Sequence, residues 1–270
     1  MKIGVFDSGY GGLTILEKIR ARLPQYDYIY FGDNARTPYG PRSFEVVYQY
    51  TLECVKRLFD EGCQLVILAC NTASAKALRT IQQNDLPHIA PSRRVLGVIR
   101  PTVEAIGSIT KTRTVGLVAT EGTIQSNSYP LEVAKLFPDI KVVGQPCPMW
   151  VPLIEYNEHQ TPGADYFVHK YIDSLFAKSN NIDTLILGCT HYPLLLNQIQ
   201  SAVPAGVTVL TQGDIVAASL EDYLYRHPEI ASLCSQGGTI RFLTTESVEK
   251  FASSASIFLN QPITAEHICL

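Results

Sequence analysis

Several things are scarce in this sequence, and each scarcity removes a class of protein. Charge of one sign is missing: 22 Lys and Arg stand against 25 Asp and Glu, a formal net charge of −3. That balance indicates neither a nucleic-acid partner nor a membrane surface. No apolar stretch approaches the roughly 20 residues of a membrane span. A strand-like run starts at Lys2, so no signal peptide is expected. The seven cysteines are an odd number with no disulfide spacing, which reads as a reduced, cytoplasmic protein. No P-loop is present, and Gly9-Tyr10-Gly11-Gly12 does not fit the dinucleotide fingerprint. The compact ligand spacing of structural zinc is also absent.

What is present is a large apolar fraction, 46% of 270 residues, more than one core usually holds. Apolar strand-like runs at Lys2 to Phe6, Tyr28 to Phe31, the stretch ending at Cys70, and Val95 to Ile99 alternate with helical periodicity. Helices are expected at Leu13 to Leu23, at Ser43 to Glu61, from Cys70 to about Asn84, and from Pro101. Near Thr114 the pattern restarts: Val115-Gly116-Leu117-Val118-Ala119 resembles Ile3-Gly4-Val5-Phe6-Asp7. Further strands are expected at Lys141 to Gly144, Thr184 to Leu187, Val207 to Leu210 and Thr239 to Thr244. Helices are expected from Thr123 to about Phe137, at Ala164 to Lys178 and Leu194 to Ala202, and from Asp214 and Glu246. Such alternation implies an α/β fold with parallel sheets covered on both faces. The expectation is two pseudo-symmetric, doubly wound domains, with the active site in the cleft between them. Residues 1–96 and 207–270 would form a discontinuous first domain, and residues 97–206 the second.

The most informative pattern occurs twice. Leu65-Val66-Ile67-Leu68-Ala69-Cys70 runs into Asn71-Thr72-Ala73-Ser74, and Leu185-Ile186-Leu187-Gly188-Cys189 runs into Thr190-His191-Tyr192-Pro193. Each is a buried strand, a thiol at its C-terminal edge, and the start of a helix. The other five cysteines, Cys147 among them, read as buried structural residues. Three arrangements compete for the pair. Cys70, Cys189 and His191 could hold zinc; Cys189 with His191 could be a nucleophile and its base; or the two thiols could face each other across one carbon as acid and base. The third suits inversion of a stereocentre, where a proton leaves one face and another arrives at the opposite face. It needs one thiolate and one thiol. A free thiol is only about 3% ionised at pH 7, and half ionisation takes roughly 2 kcal/mol. A helix N-terminus supplies about 0.3–1 kcal/mol, so a nearby group must help; Asp7 and His191 are the candidates.

With these residues in view the sequence resembles the glutamate racemases of the aspartate/glutamate racemase superfamily. The motifs are Phe6-Asp7-Ser8-Gly9-Tyr10-Gly11-Gly12, Pro38-Tyr39-Gly40, Ala69-Cys70-Asn71-Thr72, Ala119-Thr120-Glu121-Gly122-Thr123 and Leu187-Gly188-Cys189-Thr190-His191-Tyr192-Pro193-Leu194. The resemblance implies interconversion of L- and D-glutamate for peptidoglycan, with no cofactor and no metal. It implies that Cys70 takes the proton from D-glutamate and Cys189 from L-glutamate, helped by Asp7 and His191 respectively, with Glu155 close by. It further implies substrate contacts at Asp7, Ser8, Tyr39, Gly40, Asn71, Thr72, Thr120, Thr123, Thr190 and His191, and a homodimer, which the residues alone do not fix. Three places depart from the family pattern: Tyr10 at the mouth of the first loop, Tyr156-Asn157 after Glu155, and Thr211-Gln212-Gly213. An aspartate racemase and a non-catalytic amino-acid sensor are the alternatives. Tyr39, Thr120 and Thr123 argue against the first, and retention of both thiols with both helpers argues against the second.

Overall fold

The structure, a computed structural model, describes every residue except Asn260. Its strands are β1 (Lys2–Asp7), β2 (Tyr28–Gly32), β3 (Cys63–Leu68), β4 (Arg94–Gly97), β5 (Thr114–Ala119), β6 (Lys141–Pro146), β7 (Thr184–Gly188), β8 (Thr208–Leu210), β9 (Ile240–Thr244) and β10 (Glu266–His267). They form two sheets, ordered β10-β9-β2-β1-β3-β4 and β6-β5-β7-β8. Every pairing is parallel. The expected α/β architecture is therefore observed. The central strands β3, β5 and β7 are buried along their whole length. That is why they read as continuous apolar runs instead of alternating ones.

β1 and β3 lie side by side in the first sheet, as β5 and β7 do in the second. The C-terminal ends of these four strands carry Asp7-Ser8, Cys70, Thr120 and Cys189. The helix Val248–Leu259 packs against the helix Leu13–Arg22, as does Gly213–Arg226. Among the described residues no helix is long and apolar enough to cross a membrane.

Several boundaries differ from expectation. Residues 208–210, expected on the first-domain side of a boundary at 207, pair with β7 in the second sheet through Thr184↔Thr208. The strand expected at Val95 to Ile99 ends at Gly97, and a helix runs over Ile99–Ile109. Pro101 lies in its first turn, where a missing N–H costs nothing. The helix after Cys70 is broken into Asn71–Lys76, Leu78–Thr80, a wide turn at Ile81–Asp85, and Leu86–Ile89. The wide turn accommodates Pro87, whose ring would clash with a regular preceding turn. The helix expected from Thr123 splits into Glu121–Gln125 and Ser128–Leu136 at Asn127, which is left-handed with φ 56°. The helix Trp150–Glu155 and the strand β10 were not expected at all. Two prolines close to the helix, Pro148 and Pro152, mask it in the sequence.

Candidate active site

One pocket is walled by both halves of the molecule: Ser8, Cys70 and Thr72 from the first, Thr120, Cys189 and His191 from the second. Both thiols are almost wholly buried, Cys70 at 6% and Cys189 at 7% exposure. The strand-to-helix device accounts for the Cys70 position. Cys70 caps the helix Asn71–Lys76, and its sulfur accepts the Ala73 N–H at 3.5 Å.

The direct side-chain partner of Cys70 is Ser8, whose hydroxyl lies 3.3 Å from the sulfur. Burial, reinforced by the negative Asp7 nearby and only partly offset by these hydrogen bonds, pushes the Cys70 thiol up to about 12. Asp7 itself is wholly buried and is not part of the pocket wall. Its Oδ2 accepts the Gly9 N–H at 2.9 Å, and its Oδ1 accepts the Thr190 hydroxyl at 3.3 Å. Burial raises its carboxyl, against the pull of His191 and these bonds. Asp7, expected as a substrate contact, is bonded to Thr190, which does line the pocket.

The Cys189 side is built differently. The Cys189 sulfur lies 3.8 Å from His191 Nδ1, and His191 Nε2 is 3.1 Å from Glu155 Oε1. Burial opposes the charged imidazole, but the hydrogen bonds to Cys189 and Glu155 outweigh it and hold His191 well above its ordinary value. The ring also meets the edge of Phe258 at 5.7 Å. Gly11 is required here, since a Cβ would collide with His191 and with Thr190 Oγ1. Tyr10 is not at the pocket mouth. It is buried against Phe251 and Phe258, the second of which also meets the His191 ring.

Hydroxyls cluster at the same pocket. Thr72 Oγ1 is 2.9 Å from Thr120 Oγ1 and 3.3 Å from Thr123 Oγ1, and the latter two are 3.1 Å apart. Thr123 is reached through this cluster and does not line the pocket. Gly40 accepts the Gly122 N–H at 2.9 Å through its carbonyl, joining the halves through backbone. Tyr39 walls the pocket, but its hydroxyl donates to the buried Asp33 carboxylate and is not free for a ligand. Asn71 is likewise engaged: both ends of its carboxamide meet Gln212, and Tyr129 donates to its oxygen. Glu155 touches His191 and lies outside the wall.

Sequence reasoning missed Cys147, which lines the pocket although it reads as structural, and the neighbours Pro148, Val151 and Pro152. A signal existed. Cys147 follows β6, so it too sits at a strand C-terminus of the second sheet. Nothing local marks Gln212 as a partner of Asn71, 141 residues away.

A family model described as Asp/Glu/Hydantoin racemase matches residues 13–220. A glutamate racemase of Paracoccus denitrificans is 42% identical, over 98% of this chain and 99% of its own length. A solved glutamate racemase isoform from Bacillus anthracis superposes with a TM-score of 0.90 at 35% identity, covering 100% of this chain and 97% of that one. A second, from Francisella tularensis in complex with D-glutamate, gives 0.85 at 34% identity, covering 98% and 95%. Likeness of this breadth, carried by sequence and backbone alike, has one reading: the chain belongs to the glutamate racemases of the Asp/Glu/hydantoin racemase family.

Proposed function

We propose that the protein inverts the α-carbon of glutamate by moving one proton off one face and another onto the opposite face, with Cys189 and Cys70 as the two proton carriers. The observation that supports this reading best is the pair of strand-end sulfurs, one from each sheet, walling the same pocket with unlike partners. The D-glutamate bound by the Francisella tularensis relative supports the choice of ligand.

In the L-to-D direction, the Cys189 thiolate takes the α-proton and becomes a thiol. The electron pair of the broken C–H bond stays on the α-carbon and spreads into the adjacent carboxylate. Cys70 then gives its proton to the opposite face and becomes the thiolate. The partners suit this order. Burial favours the proton on Cys70, while His191, favoured as imidazolium, sets positive charge 3.8 Å from the Cys189 sulfur. The D-to-L direction runs the same steps backwards, and Ser8 and the Ala73 N–H are the groups that stabilise a thiolate on Cys70. Thr72 and Thr120 offer hydroxyls to the carboxylates, and Thr190, whose proton goes to Asp7, offers an acceptor to the ammonium. The same reading makes the protein a homodimeric cytoplasmic enzyme that supplies D-glutamate to peptidoglycan and needs neither metal nor organic cofactor.

The test is chiral analysis of glutamate incubated with the protein in D2O after dialysis against chelator. Interconversion with one deuterium entering the α-position is expected. Retention of the α-proton would overturn the two-carrier reading. Activity restored only by zinc or pyridoxal phosphate would overturn its cofactor-free form.

A further inference from the structure

Behind the Cys70 wall lies a closed polar network drawn from four helices. Asn71 opens Asn71–Lys76, Thr102 sits on Ile99–Ile109, Tyr129 on Ser128–Leu136, and Gln212 precedes Gly213–Arg226. None of the four is more than 3% exposed. Asn71 Nδ2 donates to Gln212 Oε1 at 2.6 Å. Gln212 Nε2 reaches Thr102 Oγ1 at 2.8 Å, the Tyr129 hydroxyl at 2.9 Å and Asn71 Oδ1 at 3.3 Å. The Tyr129 hydroxyl donates to Asn71 Oδ1 at 2.7 Å, and the Thr102 hydroxyl to the Val98 carbonyl at 2.8 Å. The two hydrogens of Gln212 Nε2 are taken by the short bonds to Thr102 and Tyr129, and the 3.3 Å contact to Asn71 Oδ1 shares one of them. A satisfied buried network of this kind selects one geometry sharply, because any shift leaves a polar group unpaired in a low dielectric.

Asn71 is bonded directly to Cys70, so whatever holds the Asn71 carboxamide holds the backbone that carries this thiol. Cys189, His191 and Glu155 exchange no hydrogen bond with the ring. We propose that Gln212 is a positioning residue for the Cys70 half of the reaction: by gripping both ends of the Asn71 carboxamide and tying it to Thr102 and Tyr129 of the second half, it fixes the Cys70 sulfur against the substrate α-carbon. The proposal rests on the two-carrier reading above and assigns a role to Gln212, which departs from the family pattern.

Gln212→Met keeps an unbranched chain of similar length and removes every hydrogen bond of the ring that Gln212 makes. The readout is elimination from the two enantiomers of a glutamate analogue with a leaving group on the β-carbon, which needs one proton carrier only. The D-enantiomer reports Cys70 and the L-enantiomer Cys189. Elimination from the D-enantiomer should fall by about tenfold or more in kcat, and that from the L-enantiomer by less than about twofold, since a sub-ångström misplacement acts on the carrier it displaces. KM for glutamate should move less than kcat. Tyr129→Phe, which loses one donor and one acceptor of the ring and keeps its ring packing, should show the same selectivity with a smaller loss. It carries the test if a thermal melt shows Gln212→Met unfolded. Equal falls for both enantiomers, or no fall for either in a folded variant, would overturn the positioning role. Failure of the two-carrier reading is separately visible: Cys70→Ser and Cys189→Ser, which leave Gln212 intact, would then not divide the enantiomers.

Discussion

The two thiol sites share a backbone and differ in almost everything attached to it. Both sulfurs end a buried parallel strand at a helix start. Yet Cys70 meets a serine hydroxyl, with a buried carboxylate behind it, while Cys189 meets an imidazole that leans on a second carboxylate. The helical turns differ too. After Cys70 an α-helix starts at once and its Ala73 N–H reaches the sulfur; after Cys189 comes a 3₁₀ turn over Tyr192–Leu195. A duplicated scaffold thus supplies position, and the neighbours around each sulfur differ, as the proposed division into acid and base requires.

The most severe way to break the comparison is to remove either sulfur. Cys70→Ser and Cys189→Ser should each lower racemisation by about 10³-fold or more, because a serine hydroxyl cannot be the anion at neutral pH and general acid–base catalysis contributes 10²–10⁴-fold. With the β-substituted analogue each variant should keep elimination from one enantiomer only, L for Cys70→Ser and D for Cys189→Ser. Equal loss for both enantiomers would favour one shared nucleophile or metal site.

A gentler change touches one side alone. His191→Asn should lower elimination from the L-enantiomer by about 10²-fold and leave the D-enantiomer near wild type. Because His191 is held well above its ordinary value, the wild-type L-side rate should persist through neutral pH and drop only on the alkaline side, where the imidazolium loses its proton. That alkaline limb should vanish in the variant, which a pH–rate profile checks.

Thr72 stands between the two sides, so Thr72→Val should not distinguish them. Elimination from either enantiomer of the β-substituted analogue should lose about tenfold in kcat/KM, the cost of leaving a ligand's ionic group without a partner. A loss confined to one enantiomer would move Thr72 to one side of the comparison.

The smallest effect is on stability. The unfolded chain gives up a cysteine proton near pH 9, and the folded chain holds that of Cys70 to about 12. The folded state therefore binds the extra proton between these values, and its advantage, complete below pH 9, is lost as pH rises towards 12. Cys70→Ser should show a shallower alkaline decline of the melting temperature than wild type.

How far this was legible from the sequence follows the range of each interaction. The strand, the cysteine and the capping residue are written within ten consecutive positions, so both thiols and the α/β alternation could be read directly. His191 was legible beside Cys189, Glu155 came through the family pattern, and the two do meet. What stayed hidden is non-local. Asp7 accepts a hydrogen bond from Thr190, 183 residues on. The Tyr39 hydroxyl is taken by Asp33, and Asn71 by Gln212. The short strand Thr208–Leu210 chose its sheet by pairing with β7. Three residues carry too little pattern to show which edge they will join.

The cluster of Thr72, Thr120 and Thr123 has a further consequence, for the encounter with the ligand. Among the described residues the pocket wall contains no lysine and no arginine. Hydroxyl dipoles act only at contact, whereas fixed cations draw an anion in from a Debye length of about 8 Å at physiological salt. Among the described residues of the wall, His191 is then the one side chain favoured as a cation, so the on-rate of a dicarboxylate should depend only weakly on ionic strength. Once it arrives, the Thr72 and Thr120 hydroxyls on the wall need only rotate, exchanging bonds within the cluster for bonds to carboxylate oxygens. Such a site holds its ligand lightly and releases either enantiomer readily, which suits a reaction whose two ends are mirror images of equal energy.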